Sequence, residues 1–221
     1  MSYLDFLGQY GGLIVSGTLV TMALTVLAAL LAIAVALAAG LMRLSHNPLM
    51  RGSATVYIET FRGTSLLVQL FWVFFVLPLF GLTLPKFIAG FVSVGLNIGA
   101  YGAEIVRGAI QAVPKGQYEA AVALNMTPAQ RMRRIVLPQA LMIMLPPWGN
   151  LLIELLKSTA LVALISVTDL MFESKQINAN TFLSAQAFGT ALLSYYLIAR
   201  GIITPGMRGL EKKLSRKLSI G

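Results

Sequence analysis

Apolar residues along the chain fall into long blocks separated by short stretches that carry the charges. Five blocks stand out: Gly12–Leu41, Gly63–Leu84, Phe87–Val106, Ile135–Leu156 and Leu183–Ile203. An α-helix needs about 20 apolar residues to cross the hydrocarbon core of a bilayer. Each block therefore predicts one crossing. The first is long enough to tilt or protrude, yet too short for two spans and a turn. The opening, Met1 to Tyr10, carries Asp5 and no Lys or Arg, unlike the positive start of a cleavable signal. The uncharged run Phe6–Met42 is thus expected to stay as the first span. The expectation is an all-α integral membrane protein, one domain over residues 1–221, with five helices.

Composition agrees with lipid as the main solvent. Hydrophobic residues make up 57% of the 221 positions and charged residues only 11%, with a mean hydropathy of +0.79; a soluble domain carries about a quarter charged residues. A soluble fold this apolar would expose sticky patches. There is no cysteine and a single histidine, His46, so disulfides, thiolate metal sites and histidine-cluster zinc chemistry are excluded. The net charge of +9 is scattered between apolar blocks. It reads as loop charge beside anionic lipid rather than as a nucleic-acid surface.

That charge also orients the chain. With the N-terminus outside, the inward segments hold Arg43, Arg51, Arg62, Arg107, Lys115, Arg131, Arg133, Arg134, Arg200, Arg208, Lys212, Lys213, Arg216 and Lys217, and the outward ones only Lys86, Lys157 and Lys175. Cytoplasmic loops collect Lys and Arg, so the N-terminus is expected outside and the C-terminus inside.

The inward loop between the third and fourth blocks reads as two short helices and a sharp bend. Tyr118–Leu124 is rich in alanine and ends at Asn125, the residue that after glycine best tolerates the left-handed conformation that stops a helix. Thr127, Pro128 and Gln130 then form a capping box with proline at the first helical position. The result is a stiff elbow suited to transmitting force.

Glu119-Ala120-Ala121, with Leu124, Met126, Ile135 and Leu137-Pro138-Gln139-Ala140, resembles the EAA loop of bacterial ABC-importer permeases, with Asn125 where glycine is usual. Tyr57–Gln69, Ala100–Gly108 and Leu155–Leu161 resemble further signatures of the polar-amino-acid branch, with Ser65 where proline is common. Leu70–Gly81 and Pro146–Lys157 are similar to the permeases of ectoine and hydroxyectoine importers. The resemblance implies a type I permease bundle of five transmembrane helices, with the coupling loop at residues 115–138, in a bacterial inner membrane. It assigns ATPase coupling to Tyr118, Glu119, Ala120, Ala121, Leu124, Asn125 and Met126. It also implies two ABC ATPase subunits, a second permease chain and an extracytoplasmic solute-binding protein. The implied cargo is ectoine, hydroxyectoine or another polar or basic amino acid. This chain lacks a G-x-x-x-x-G-K-[ST] phosphate loop: Lys157-Ser158 follows Leu155-Leu156 with no glycine. ATP and Mg are therefore expected on the partner ATPases and no cofactor on this chain.

Ionisable groups at membrane depth cost at least about 2.5 kcal/mol each and are functional suspects. Asn97, Tyr101 and Glu104 share one helical face, with Gly95, Gly99 and Gly102 opposite, where another helix could approach closely. The polar face lines an aqueous pathway, or Glu104 simply pairs with Arg107. In the fourth block, an interruption is expected at Pro146-Pro147 and Gly149, followed by Asn150, Glu154 and Lys157 on one face. Those three, with Ser158 and Thr159 of the Leu155–Leu161 signature, complete the candidate pathway. The alternative is an internal Glu154–Lys157 salt bridge. Arg200 lies deep in the last block and either snorkels inward or meets Glu104 or an anionic ligand group. Glu59 and Arg62 are expected to pair, and Trp72 and Trp148 to pack. An ion-coupled secondary transporter using Glu104 or Glu154 is the rival reading from another class.

Overall fold

The structure is a computed structural model that describes residues 2–218, with side chains described for residues 2–216. Lys217, one of the cations counted to the inner side, lies outside the described side chains.

Among the described residues every regular element is a helix. They are α1 (Tyr3–Arg43), α2 (Pro48–Gly63), α3 (Leu66–Phe71, continued by a π turn and a 3₁₀ turn to Phe80), α4 (Lys86–Gln111), α5 (Lys115–Ala123), α6 (Pro128–Arg131), α7 (Leu137–Ser158), α8 (Leu170–Thr181), α9 (Ser184–Ile198) and α10 (Thr204–Leu218).

Four stretches are long and apolar enough to cross a membrane: Tyr3–Arg43, Lys86–Gln111, Pro128–Ile165 and Ser184–Arg216. The expected second span takes a different form. Leu66–Phe80 meets α2 at a bend of 106°, and the two helices qualify only as a pair. By itself Leu66–Phe80 would be about 22 Å long, short of the roughly 30 Å hydrocarbon core. The bend arises because Thr64 and Ser65 adopt extended backbone, with ψ of 155° and 134°. The amide of Gln69 then reaches back to the carbonyls of Phe61 and Thr64. Asn97 of α4 donates a second hydrogen bond to Phe61 at 3.0 Å. The carbonyl exposed by ending α2 is thus satisfied twice.

The junction of α1 with α4 is the spine of the bundle. Along α1 the buried face reads Gly17, Thr21, Leu24, Ala28, Ala32, Ala36, Ala39 and Gly40, small residues apart from Leu24 and spaced three or four apart up to Ala39. Opposite them lie the predicted glycines of α4. A Cβ at Gly95 would come within 2.9 Å of Leu31, one at Gly99 within 3.2 Å of Val35, and one at Gly102 within 2.8 Å of both Ala36 and Trp148. Small side chains let the backbones approach, which is how helices associate when lipid supplies no hydrophobic drive.

The fourth block departs from expectation. Helix α7 passes through Pro146 and Pro147 without a break. Each proline removes one backbone donor, leaving the carbonyls of Met142 and Ile143 without their intrahelical partners. Packing against neighbouring helices supports such a segment: Trp148, 7% exposed, wedges against Gly102 on one side, and Met207 of α10 packs on Gly149 from the other. The second helix of the elbow is likewise not a separate piece. α6 runs through a π turn at Met132–Val136 directly into α7.

Candidate functional site

The elbow closes as its residues direct. Asn125 takes φ of 52°. The Met126 N–H bonds the Ala121 carbonyl at 3.1 Å, and the Asn125 N–H bonds that of Val122 at 2.9 Å. This pair of bonds is the Schellman arrangement that satisfies the last carbonyls of a helix. Thr127 and Gln130 exchange the reciprocal bonds of a capping box, so one helix stop and one helix start are packed into a few residues. Tyr118 packs on the core beside Val113 and Val136, Ala121 is buried, and Gln139 of α7 donates to Gln117 of α5 at 3.3 Å. The helix is thereby tied to the base of α7. Its outer side presents Glu119 and Ala120, with Val122 53% and Leu124 72% exposed. An apolar tip on a stiff, anchored stub is a surface built for contact.

The polar residues assemble on the other side of the bundle. One cleft of about 460 Å³ is lined by Thr64, Ser65, Asn97, Tyr101, Glu154 and Ser158 among others. A second, of about 560 Å³, is lined by Arg62, Tyr101, Glu104, Pro147, Asn150 and Glu154. The two share Tyr101, Leu151 and Glu154 and form one space between the α2–α3 bend, α4 and α7. The bend sets Thr64 and Ser65 facing this space, which no reading of periodicity along the chain would reveal.

Its two carboxylates are held differently. Glu104 accepts from Arg43 at 2.7 Å and from Arg107 at 2.8 Å, and Arg43 also reaches Glu59 at 3.1 Å. Glu59 is therefore claimed by Arg43, not by Arg62 as its spacing suggested. Arg62 instead lies 5.5 Å from the ring centroid of Tyr101, a cation–π contact, and makes no ion pair among the described residues. Glu154 has only Lys157, at 2.7 Å, and both side chains are more than half exposed. Such exposed pairs contribute about 0–1 kcal/mol, so Glu154 can exchange its partner at little cost.

The sequence model of the binding-protein-dependent transport system inner membrane component family matches residues 28–210. The chain belongs to this family. A probable amino-acid ABC transporter permease protein of Sinorhizobium fredii is 44% identical over 222 residues, covering 98% of this chain and 91% of its own. The L-cystine transport system permease protein of Bacillus subtilis is 34% identical over 200 residues, with 90% and 86% covered. Among solved structures, a crystal structure of an amino acid ABC transporter with histidines aligns at a TM-score of 0.89 and 35% identity, covering 96% of this chain and 99% of that one. The first two are named as permease proteins, and the solved chain shares the all-helical fold of this one.

Within this inner-membrane component, the suggested pathway residues divide. Asn97, Tyr101, Glu104, Asn150, Glu154 and Ser158 line the joined clefts. Asn97 is also 5% exposed and clamps the α2–α3 bend through Phe61 and Gln69. Lys157 faces a separate apolar cleft beside Met171 and Tyr195. Thr159 is buried, its hydroxyl donating to the Leu156 carbonyl at 2.7 Å. Arg200 does not meet Glu104; it lines a cleft between α7 and α10. Trp148 packs as expected, whereas Trp72 is 49% exposed. Arg43, Gln69 and Arg62 were missed as site residues. Arg62 and Gln69 fall in the Tyr57–Gln69 run but carried no site role there, and the contacts that place Arg43 on Glu104, Arg62 on Tyr101 and Gln69 on Asn97 join residues too far apart in the chain for spacing to pair them.

Proposed function

We propose that the chain is the pathway-forming permease subunit of an ATP-binding-cassette importer for an amino acid or amino-acid derivative. Two separate ATPase subunits, binding ATP and Mg, drive it through the elbow. The observation that carries this reading is the elbow itself: an anchored stub, closed at its C-terminal end by the Asn125 stop, whose exposed Val122, Leu124 and Glu119 await a partner. In a five-span arrangement with the N-terminus outside, this tip faces the cytoplasm, where nucleotide is present. A second permease chain and an extracytoplasmic solute-binding protein complete the assembly in a bacterial inner membrane.

The cleft suits a zwitterion. Arg62, held over Tyr101 and free of carboxylate partners among the described residues, can receive a carboxylate. Glu154, loosely held by Lys157, can receive an ammonium. Glu104 stays bound to two arginines and orients the inner end. Tyr118, Glu119, Ala120, Ala121, Leu124, Asn125 and Met126 form the coupling surface. The names of the relatives support amino acids as the cargo class. Ectoine and hydroxyectoine, amino-acid derivatives that keep a carboxylate, are the narrower cargo suggested by Leu70–Gly81 and Pro146–Lys157.

Reconstitution of the importer with its ATPase and binding protein tests the coupling role. Glu119→Lys should leave the chain inserted and abolish ATP-dependent uptake. Normal uptake by that variant removes the elbow from the mechanism. Accumulation driven by a proton or sodium gradient without ATP would replace this reading with a secondary transporter.

A further inference from the structure

The cleft at Arg200 has neighbours on both sides that share lining residues with it. Moving inward from the joined substrate cleft, Asn150 belongs both to that space and to a cleft of about 270 Å³ between α7 and the last helix. This cleft is lined by Pro146, Asn150, Ile153, Arg200, Thr204 and Arg208, with Glu211 at its edge. Arg208 and Glu211 in turn belong to a further cleft of about 520 Å³ with Met142, Lys212, Ser215 and Arg216. The clefts thus follow one another from the α2–α3 bend, past α7, to the basic residues of α10.

The lining changes sign along the way. The upper space holds Glu104 and Glu154 against Arg62. The lower two hold Arg200, Arg208, Lys212 and Arg216 against Glu211 alone. None of these four cations has a carboxylate within 4.0 Å among the described residues. Arg200 also sits in a π turn, Ala199–Ile203, one of three among the described residues and a distortion that is frequent at functional sites. Thr204 closes that turn through both its backbone N–H and its hydroxyl on the Ala199 carbonyl. An unpartnered cation at this depth is tolerated where it lines a water-filled cavity. Conduction needs several weak stations rather than one strong one, and four spaced cations without fixed partners meet that condition.

We propose that the two lower clefts form a cation-lined exit track, with Arg200 as the first station to receive the substrate's carboxylate as it passes Asn150. This deepens the importer reading and rests on it: the cargo class must carry a carboxylate. Arg208, Lys212 and Arg216 hand the anion on toward the inner side.

The chain has no cysteine, so a single introduced thiol reports cleanly. Ile153→Cys places one in the Arg200 cleft. In the assembled importer it should react faster with an anionic (sulfonatoethyl) than with a cationic (trimethylammonioethyl) methanethiosulfonate. Adding Arg200→Leu should lower that rate ratio about sevenfold, the effect of one unit charge roughly 7 Å away in a water-like medium. The second arm measures uptake from an equimolar, isotope-labelled mixture of the twenty L-amino acids and ectoine. For the species that the wild type takes, Arg200→Leu should lower the maximal rate about tenfold at unchanged half-saturation, and Arg200→Lys should restore most of it. A residue needed only for packing would tolerate leucine in lipid. A rate ratio indifferent to Arg200, or wild-type uptake by Arg200→Leu, overturns the track alone. A wild-type importer that accumulates nothing from the mixture overturns the cargo class and the track together.

Discussion

The elbow lies at the start of α7 and the joined cleft along its second half, and the two are specified in opposite ways. Every hydrogen bond that shapes the bend of the elbow joins residues within six positions of one another, from Ala121–Met126 to Thr127–Gln130. In the cleft, the decisive contacts are long-range: Arg43 to Glu104 spans 61 positions and Asn97 to Phe61 spans 36. The elbow is therefore a local structure that keeps its shape when its surroundings move, as a lever must. The cleft exists only while the bundle is assembled, and its shape can change when helices shift. In the proposed importer, that contrast would separate a stiff coupling element from a pliable pathway, the division of labour an alternating-access machine needs.

The largest effect should come from breaking the scaffold beneath the cleft. Gly102 lies where α1, α4 and α7 meet, and an added Cβ would stand 2.8 Å from Ala36 and Trp148. Gly102→Leu forces backbones apart and should abolish accumulation of folded protein in the membrane. Gly108 on the same helix has nothing within 4 Å, and Gly108→Leu should accumulate normally. Yield and monodispersity in mild detergent distinguish the two. Equal behaviour would mean that the α1–α4 contact is not the spine.

The same contrast explains what could be read from the chain. The glycine face of α4 was legible because a 3.6-residue period reports faces directly. The Asn125 stop and the capping box were legible because cap residues act on their own backbone. The uninterrupted course of α7 through Pro146 and Pro147 was not, because the supports that hold it, Trp148 on Gly102 and Met207 on Gly149, come from elsewhere in the chain. Nor was the 106° bend at Thr64–Ser65. Neither residue is a strong breaker, and the clamp is supplied by Gln69 together with Asn97, 33 positions after Thr64. The ion pairing of Glu59 was misassigned for the same reason: Arg62 is near in sequence, and Arg43 is near in space.

A middle-sized effect sharpens the elbow side of the comparison. Asn125 holds φ of 52°, where a β-branched side chain is strained. Asn125→Val should cost about 2 kcal/mol locally, and Asn125→Gly should cost little or gain slightly. If the elbow is a local unit, Asn125→Val should depress ATP-dependent uptake far more than it lowers the melting temperature of the purified chain. The two falling in proportion would show that the elbow is coupled to global stability rather than independent of it.

The smallest expected effect lies at the start of α8, where a third region combines both rules. Asp169 caps α8 locally, accepting from the Phe172 N–H at 2.9 Å. It is also fully buried at long range, with the Tyr195 hydroxyl donating to its carboxylate at 3.3 Å and Gly17 of α1 against its backbone. Burial pushes its carboxyl up to about 6, from an ordinary value of 3.8. The folded chain thus holds this proton more tightly than the unfolded chain does. Its contribution to stability is complete below the ordinary value and is lost as pH rises through about 6. Between pH 5 and 7.5 the loss amounts to roughly 1 kcal/mol. Asp169→Asn keeps an oxygen for the Phe172 N–H while never ionising, so it removes this loss. The melting temperature of Asp169→Asn relative to wild type should therefore climb as pH is raised across that window. Asp169→Ala, lacking the cap, should melt lower than Asp169→Asn at every pH. A difference between Asp169→Asn and wild type that does not vary with pH would mean that the carboxylate is satisfied when charged, and that the contact of α8 with α1 is set by its cap alone.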